Sequence, residues 1–266
     1  MIVKTSPGAL REARVQLHHA AQIAAAAGNT LLPHLDDHSH RNLRWMRRVG
    51  CFVGPEIEGL RAGIRVGDLA WVVVKEDSVF DSRIARGYTR DQGLSWLSHT
   101  WEQAGGAQVD FQVPGYDIPD HEIGLEGSFG GAKLVDADLY ALSAWYVEAL
   151  SQLGAIAERY RGSEVRLWPH HLDVATLIPV AGAGEDARSV GISFTPGDTA
   201  ISQPYFSVSP WPYPDPVDLP EIPDGYWHTD GFTAAVLRGD QGADDPERVR
   251  AFLAVAVDAS VAVVQG

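Results

Sequence analysis

The 266-residue chain reads as α+β, with two pseudo-repeated halves. Each half is a helix, then antiparallel strands, then a closing helix, and the two are expected to pack as one compact unit. Three observations predict this. Long helical patterns over 7–27 and 136–161 each precede short alternating segments. A Gly-Asp turn signal occurs in both halves, at Gly67-Asp68 and Gly197-Asp198. Gly63-Ile64-Arg65-Val66-Gly67-Asp68-Leu69-Ala70 also parallels Gly191-Ile192-Ser193-Phe194-Thr195-Pro196-Gly197-Asp198-Thr199-Ala200, with two residues inserted. The stretch 114–135 is rich in Gly, Asp and Pro and lacks periodicity, so it is read as the connection between halves 1–113 and 136–266.

In order, Ser6-Pro7 is a helix start, with Ser as cap and Pro at the first helical position. The helix runs to Gly28-Asn29. A polar loop from Pro33 becomes a strand near residue 40, where His38, His40 and Asn42 alternate onto one face. Strands follow at 47–54, 60–66 and 69–75. Thr89-Arg90-Asp91-Gln92 is a capping box opening a helix to about 104. Residues 107–113 alternate as a short strand. The helix over 136–161 carries Leu142, Trp145, Tyr146, Ala149, Leu153 and Ile156 at core spacing. Strands are expected at 164–179, 188–195, 203–209 and 231–237, and Asp245-Pro246 opens a final helix to about 263. Between strands, Ser209–Tyr226 carries proline at 210, 212, 214, 216, 220 and 223, which predicts an extended surface segment.

Composition narrows the function. The net charge of -14 repels phosphate backbones, so nucleic acid is not an expected partner. Cys51 is the single cysteine, which rules out an intrachain disulfide and a cysteine-based zinc site; it reads as a small core residue. No apolar run approaches a membrane span and no signal peptide is evident, so the expectation is a cytoplasmic protein with no membrane partner. Oligomeric state is left open. The Gly-x-Ser-x-Gly elbow, the dinucleotide fingerprint and the phosphate loop are absent.

The stretch Glu164–Pro179 carries two histidines and an aspartate where a strand keeps apolar residues. Read as one strand, it places His171 and Asp173 on one face and His170 on the other. The repeat aligns His40 with His171 and Asn42 with Asp173, which suggests a cleft between the halves built from these four. His228 is a further candidate. Two chemistries remain open: His40, His171 and Asp173 as a divalent-metal set, or Asp173 orienting a histidine base without metal. Trp168, Tyr205, Trp211 and Trp227 are candidate substrate contacts. A structural role for the histidines, bonded to backbone where strands meet, also remains open.

Trp168-Pro-His-His-Leu-Asp-Val-Ala-Thr176 resembles a W-x-x-x-F-D-L-A segment. It is followed by Gly197-Asp198, Pro204-Tyr205-Phe206-Ser207-Val208 and Trp227-His228-Thr229-Asp230-Gly231-Phe232-Thr233-Ala234-Ala235-Val236-Leu237. Over residues 164–237 this succession resembles a bacterial family of two-half proteins known only as a domain of unknown function. The resemblance implies a compact α+β protein and no particular reaction. The residues themselves point to an enzyme of hydrolase, lyase or isomerase type acting on a small molecule. The alternative is a non-catalytic binding module with an aromatic, proline-rich lid.

Overall fold

A computed structural model describes residues 10–265, which form four α-helices and eleven strands. The Ser6-Pro7 helix start lies outside the described residues. Two compact units emerge. The N-terminal unit runs to Ser143 and takes back Arg166–Leu172; the C-terminal unit comprises Ala144–Val165 and the chain from Asp173 onward. The division falls within a helix, and the stretch 114–135 lies wholly in the first unit.

The N-terminal unit is organised on α1 (Arg11–Leu31), which is buried from Val15 to Gly28. A helix sunk this deep must be slender, and its alanines at 20, 21 and 24–27 supply that. Its buried face also carries Gln16, His18, His19 and Gln22, polar groups that need partners once out of water. The strands are β1 (Leu43–Met46), β2 (Cys51–Val53), β3 (Leu60–Arg65), β4 (Ala70–Lys75) and β5 (Ser78–Ile84), followed by α2 (Arg90–Gln103). After the long α3 (Asp136–Tyr160), β6 (Arg166–Trp168) returns to pair antiparallel with β1, Leu43 opposite Leu167. The antiparallel order is therefore β6-β1-β2-β3-β4-β5.

Trp71 on β4 is the hub of this core. It is fully buried, donates to the Ala20 carbonyl (3.2 Å), stacks on Trp96 and meets Phe129 edge-on. Helix α2 comes this close because position 93 is glycine: a Cβ there would lie 2.6 Å from the Trp71 ring and 2.7 Å from Ile23. Residue 28 of α1 is likewise glycine against the His40 carbonyl, where a Cβ would sit 2.0 Å away. Gln16 and Gly130 exchange two hydrogen bonds of 2.7 and 2.8 Å, tying the 114–135 stretch to α1.

The C-terminal unit holds the rest of α3 and strands β7 (Asp173–Ala181), β8 (Arg188–Thr195), β9 (Tyr205–Trp211), β10 (Tyr226–His228) and β11 (Ala234–Arg238), with α4 (Pro246–Gln265) closing the chain. The strands pair antiparallel in the order β7-β8-β9-β11-β10. Trp145 stacks on Phe194 at 5.6 Å, and Phe206 lies 5.2 Å beyond. Both units thus run helix, five strands, helix, plus β6 in the first. Their last strands are ordered differently, and the loop after Gly197 is longer than the Gly67-Asp68 turn.

Several elements differ from the sequence reading. The expected strand 47–54 is a hairpin, β1 and β2 around a turn at 47–50. The expected strand 107–113 makes no ladder; instead Gln112 bonds the Asn29 and Thr30 side chains at the end of α1. Residues 39–41 form a 3-10 turn, so His38, His40 and Asn42 do not alternate on a strand. Among the described residues no helix is long and apolar enough to cross a membrane.

Candidate functional site

The stretch 164–179 is two strands rather than one. Pro169 follows the last residue of β6, and the Trp168 carbonyl accepts from both His171 (3.2 Å) and Leu172 (2.8 Å). Leu172 takes a left-handed backbone (φ 58°), and β7 begins at Asp173. Alternation cannot act across a tight turn, so the expected shared face for His171 and Asp173 is not formed. His170 and His171 belong to the N-terminal unit and Asp173 to the C-terminal unit.

In the N-terminal unit the turn is anchored from below by α1. The Pro169 carbonyl accepts from His18 Nε2 (2.9 Å) and from Gln22 Nε2 (2.7 Å). Burial pulls the His18 pKa down to about 4, so the ring is neutral at pH 7. His170, above it, is also pulled down to about 4, by burial and then by the charges of its neighbours His171, His38, His18 and Arg41. The rings of His38, Tyr116 and His170 form a triangle with centroid separations of 5.6, 5.7 and 5.2 Å. In each ring one polar atom is sealed from solvent without a hydrogen-bond partner: His38 Nδ1, Tyr116 Oη and His170 Nδ1. The Arg41 guanidinium lies over Tyr116, 5.1 Å from the ring centre. Burial raises the Tyr116 phenol above its ordinary value, against the pull of Arg41.

His40 is not free to act as a base. Its Nε2 accepts from Arg41 Nε at 2.7 Å, and Leu35 N stands 3.2 Å from its Nδ1. A neutral imidazole accepts at only one nitrogen, and the shorter, charge-assisted contact claims it. Burial, then the charge of Arg41, hold the His40 pKa low. His40 is thus a holder of Arg41. Asn42 ends the 3-10 turn, its N–H donating to Ser39 (3.3 Å). Trp168 meets the edge of His170 at 5.9 Å, and the His171 ring lies 4.3 Å from it, tilted by 55°. Beside this cluster an open cleft of about 730 Å³ runs between α1 and residues 113–125, lined by His19, Gln22, Tyr116 and His121 among others.

The C-terminal unit builds a second polar site on neighbouring strands. Tyr205 on β9 pairs with Thr195 at the end of β8, and Asp173 stands one step beyond the Val174–Phe194 pair on β7. Asp198 accepts from the Ala200 and Ile201 backbone (2.8 and 2.7 Å) and from the Tyr205 hydroxyl (2.7 Å). It serves its turn, as Gly-Asp turn chemistry suggests. Asp173 Oδ1 has no accessible surface and no partner. Burial, together with the nearby charge of Asp198, pushes the Asp173 pKa up to about 7. Burial and Asp198 also raise the Tyr205 phenol.

The other expected residues are in this unit but apart from that site's bonds. His228 Nε2 meets the Asp230 carbonyl at 2.8 Å, a local turn contact. Trp227 donates to the Pro220 carbonyl (2.7 Å) and staples the proline-rich segment. Trp211 is exposed, with Tyr213 edge-on at 5.2 Å. Among the described residues, no three or more His, Cys, Asp or Glu side chains are grouped to hold a metal ion; the expected His40, His171 and Asp173 set is not assembled. Sequence reasoning passed over Arg41 and Tyr116, which lie in stretches without periodicity.

Compared with family models, curated proteins and solved structures, the chain matches none.

Proposed function

We propose that the protein is an enzyme acting on a small molecule by general acid–base chemistry, with Asp173 as the group that takes and gives the proton. One observation carries this reading: a carboxyl whose Oδ1 is sealed and has no partner, and whose pKa of about 7 lets it exist in both forms at neutral pH. Asp198, fixed by two backbone amides and Tyr205, is the positioning residue whose charge helps hold that value. Hydrolase, lyase and isomerase reactions all require such a group. The resemblance of residues 164–237 to the two-half bacterial family supplies no reaction, so the proposal rests on this site.

A second reading, a binding module with an aromatic lid, is favoured by exposed Trp211 and Tyr213 on the proline-rich segment. Two measurements decide between them. Asp173 is titrated through its side-chain carbon resonance, and wild type and Asp173→Asn are assayed against esters, lactones and hydroxy acids across neutral pH. The enzyme reading expects a titration near 7 and a turnover that follows it and is lost in the folded variant. An ordinary carboxylate titration, or a turnover that survives the substitution unchanged, refutes it.

A further inference from the structure

We propose that the N-terminal unit contains a binding site for a small aromatic carboxylate, anchored by Arg41 and completed by His38, Tyr116 and His170. The proposal stands apart from the Asp173 reading, since every residue it uses lies in the other unit.

Arg41 is a largely buried cation with no acidic partner among the described residues. It is only 8% exposed. A guanidinium stays protonated at any physiological pH, so burial cannot neutralise it as it neutralises a histidine. Its Nε donates to neutral His40, and its guanidinium lies against Tyr116, so its protein neighbours are uncharged groups. The chain has 35 acidic residues against 21 basic ones, yet among the described residues none forms an ion pair with this cation. A carboxylate, which matches the planar fork of a guanidinium, is the counter-charge that fits this cation.

The surroundings supply the rest of the site. Three further polar atoms beside Arg41, on His38, Tyr116 and His170, are buried without partners. A histidine ring donates from a protonated nitrogen, and the phenol donates through its hydroxyl. All three can therefore donate to a carboxylate. The walls are rings, with Trp168 edge-on to His170 and His34 5.1 Å from His40, which suits a flat ligand body.

The test uses the full chain and benzoate as probe, followed by titration calorimetry and by the ring-nitrogen resonances of 15N-labelled histidines. Benzoate is expected to bind and to move the His38 and His170 resonances while leaving His99 and His228 in place. Tyr116→Phe keeps the ring and removes only the hydroxyl; it should weaken binding about 5- to 10-fold, the scale of one hydrogen bond. Arg41→Gln should abolish binding. Tyr116→Phe keeps the test decisive if Arg41→Gln does not fold. The proposal is overturned by no binding at up to about 10 mM benzoate, beyond the range of a weak single-anchor site. Binding unchanged in Tyr116→Phe overturns it too, as does inorganic phosphate binding in place of benzoate.

Discussion

Replacing Asp173 with asparagine removes the titration and keeps the shape. The wild-type carboxyl has an ordinary value of 3.8 and stands at about 7 in the folded protein. The folded state therefore holds a proton that the unfolded chain releases. The associated stability is fully present below pH 3.8 and is lost as pH rises through 7. At about 1.4 kcal/mol per unit, the loss approaches about 4 kcal/mol above pH 8. That is a ceiling, because Asp173 is only half-buried. Asp173→Asn should thus match wild type near pH 4 and exceed it by a growing margin up to pH 8. Hydrogen exchange of the β7–β9 amides reads this in the unit concerned. A difference between variant and wild type that stays flat from pH 4 to 8 would refute the reasoning, for it would mean that Asp173 ionises as freely folded as unfolded.

The remaining predictions concern the N-terminal unit. Gly93→Ala places a Cβ against the fully buried Trp71 ring and Ile23; overpacking of about 1–3 kcal/mol should outweigh the gain of about 1 kcal/mol in helix propensity and lower the melting temperature. A variant as stable as wild type would mean that Trp71 yields. His18, neutral when folded, gives stability that is present above pH 6.5 and lost as pH falls toward 4, by up to about 3 kcal/mol. Exchange of the α1 amides should quicken over that window, and a His18 ring resonance titrating at its ordinary value would contradict it.

Local rules were legible where the chain itself supplies the partner. The Thr89–Gln92 capping box forms both of its bonds, and the apolar stripe of α3 is buried as its spacing requires. Strand β5 was not legible: its turn uses Glu76 and Asp77 in left-handed conformations rather than Asn-Gly, and its exposed residues carry no apolar alternation. Asp173 could be singled out from the sequence because a carboxylate is conspicuous among strand residues. That the charges of Asp198 and Asp173 reach one another beside Tyr205 needed the strands to be paired. Arg41 could not be singled out, since what marks it is a missing counter-charge, which only the folded surroundings reveal.

The return of β6 to the N-terminal unit sets an order of assembly. Leu167, which covers Leu43 on β1, and the Pro169 carbonyl, which receives His18 and Gln22, are both separated from that unit's main segment by the 25-residue α3. During synthesis the first half of the chain therefore emerges with an unpaired β1 edge and with polar groups on α1 that have no acceptor. It becomes whole only once residue 172 is available. Cutting the protein within 114–135 would leave a first fragment with an open strand edge, prone to pairing with its own kind. The histidine cluster thus comes into being only after the helix that begins the second unit has been made.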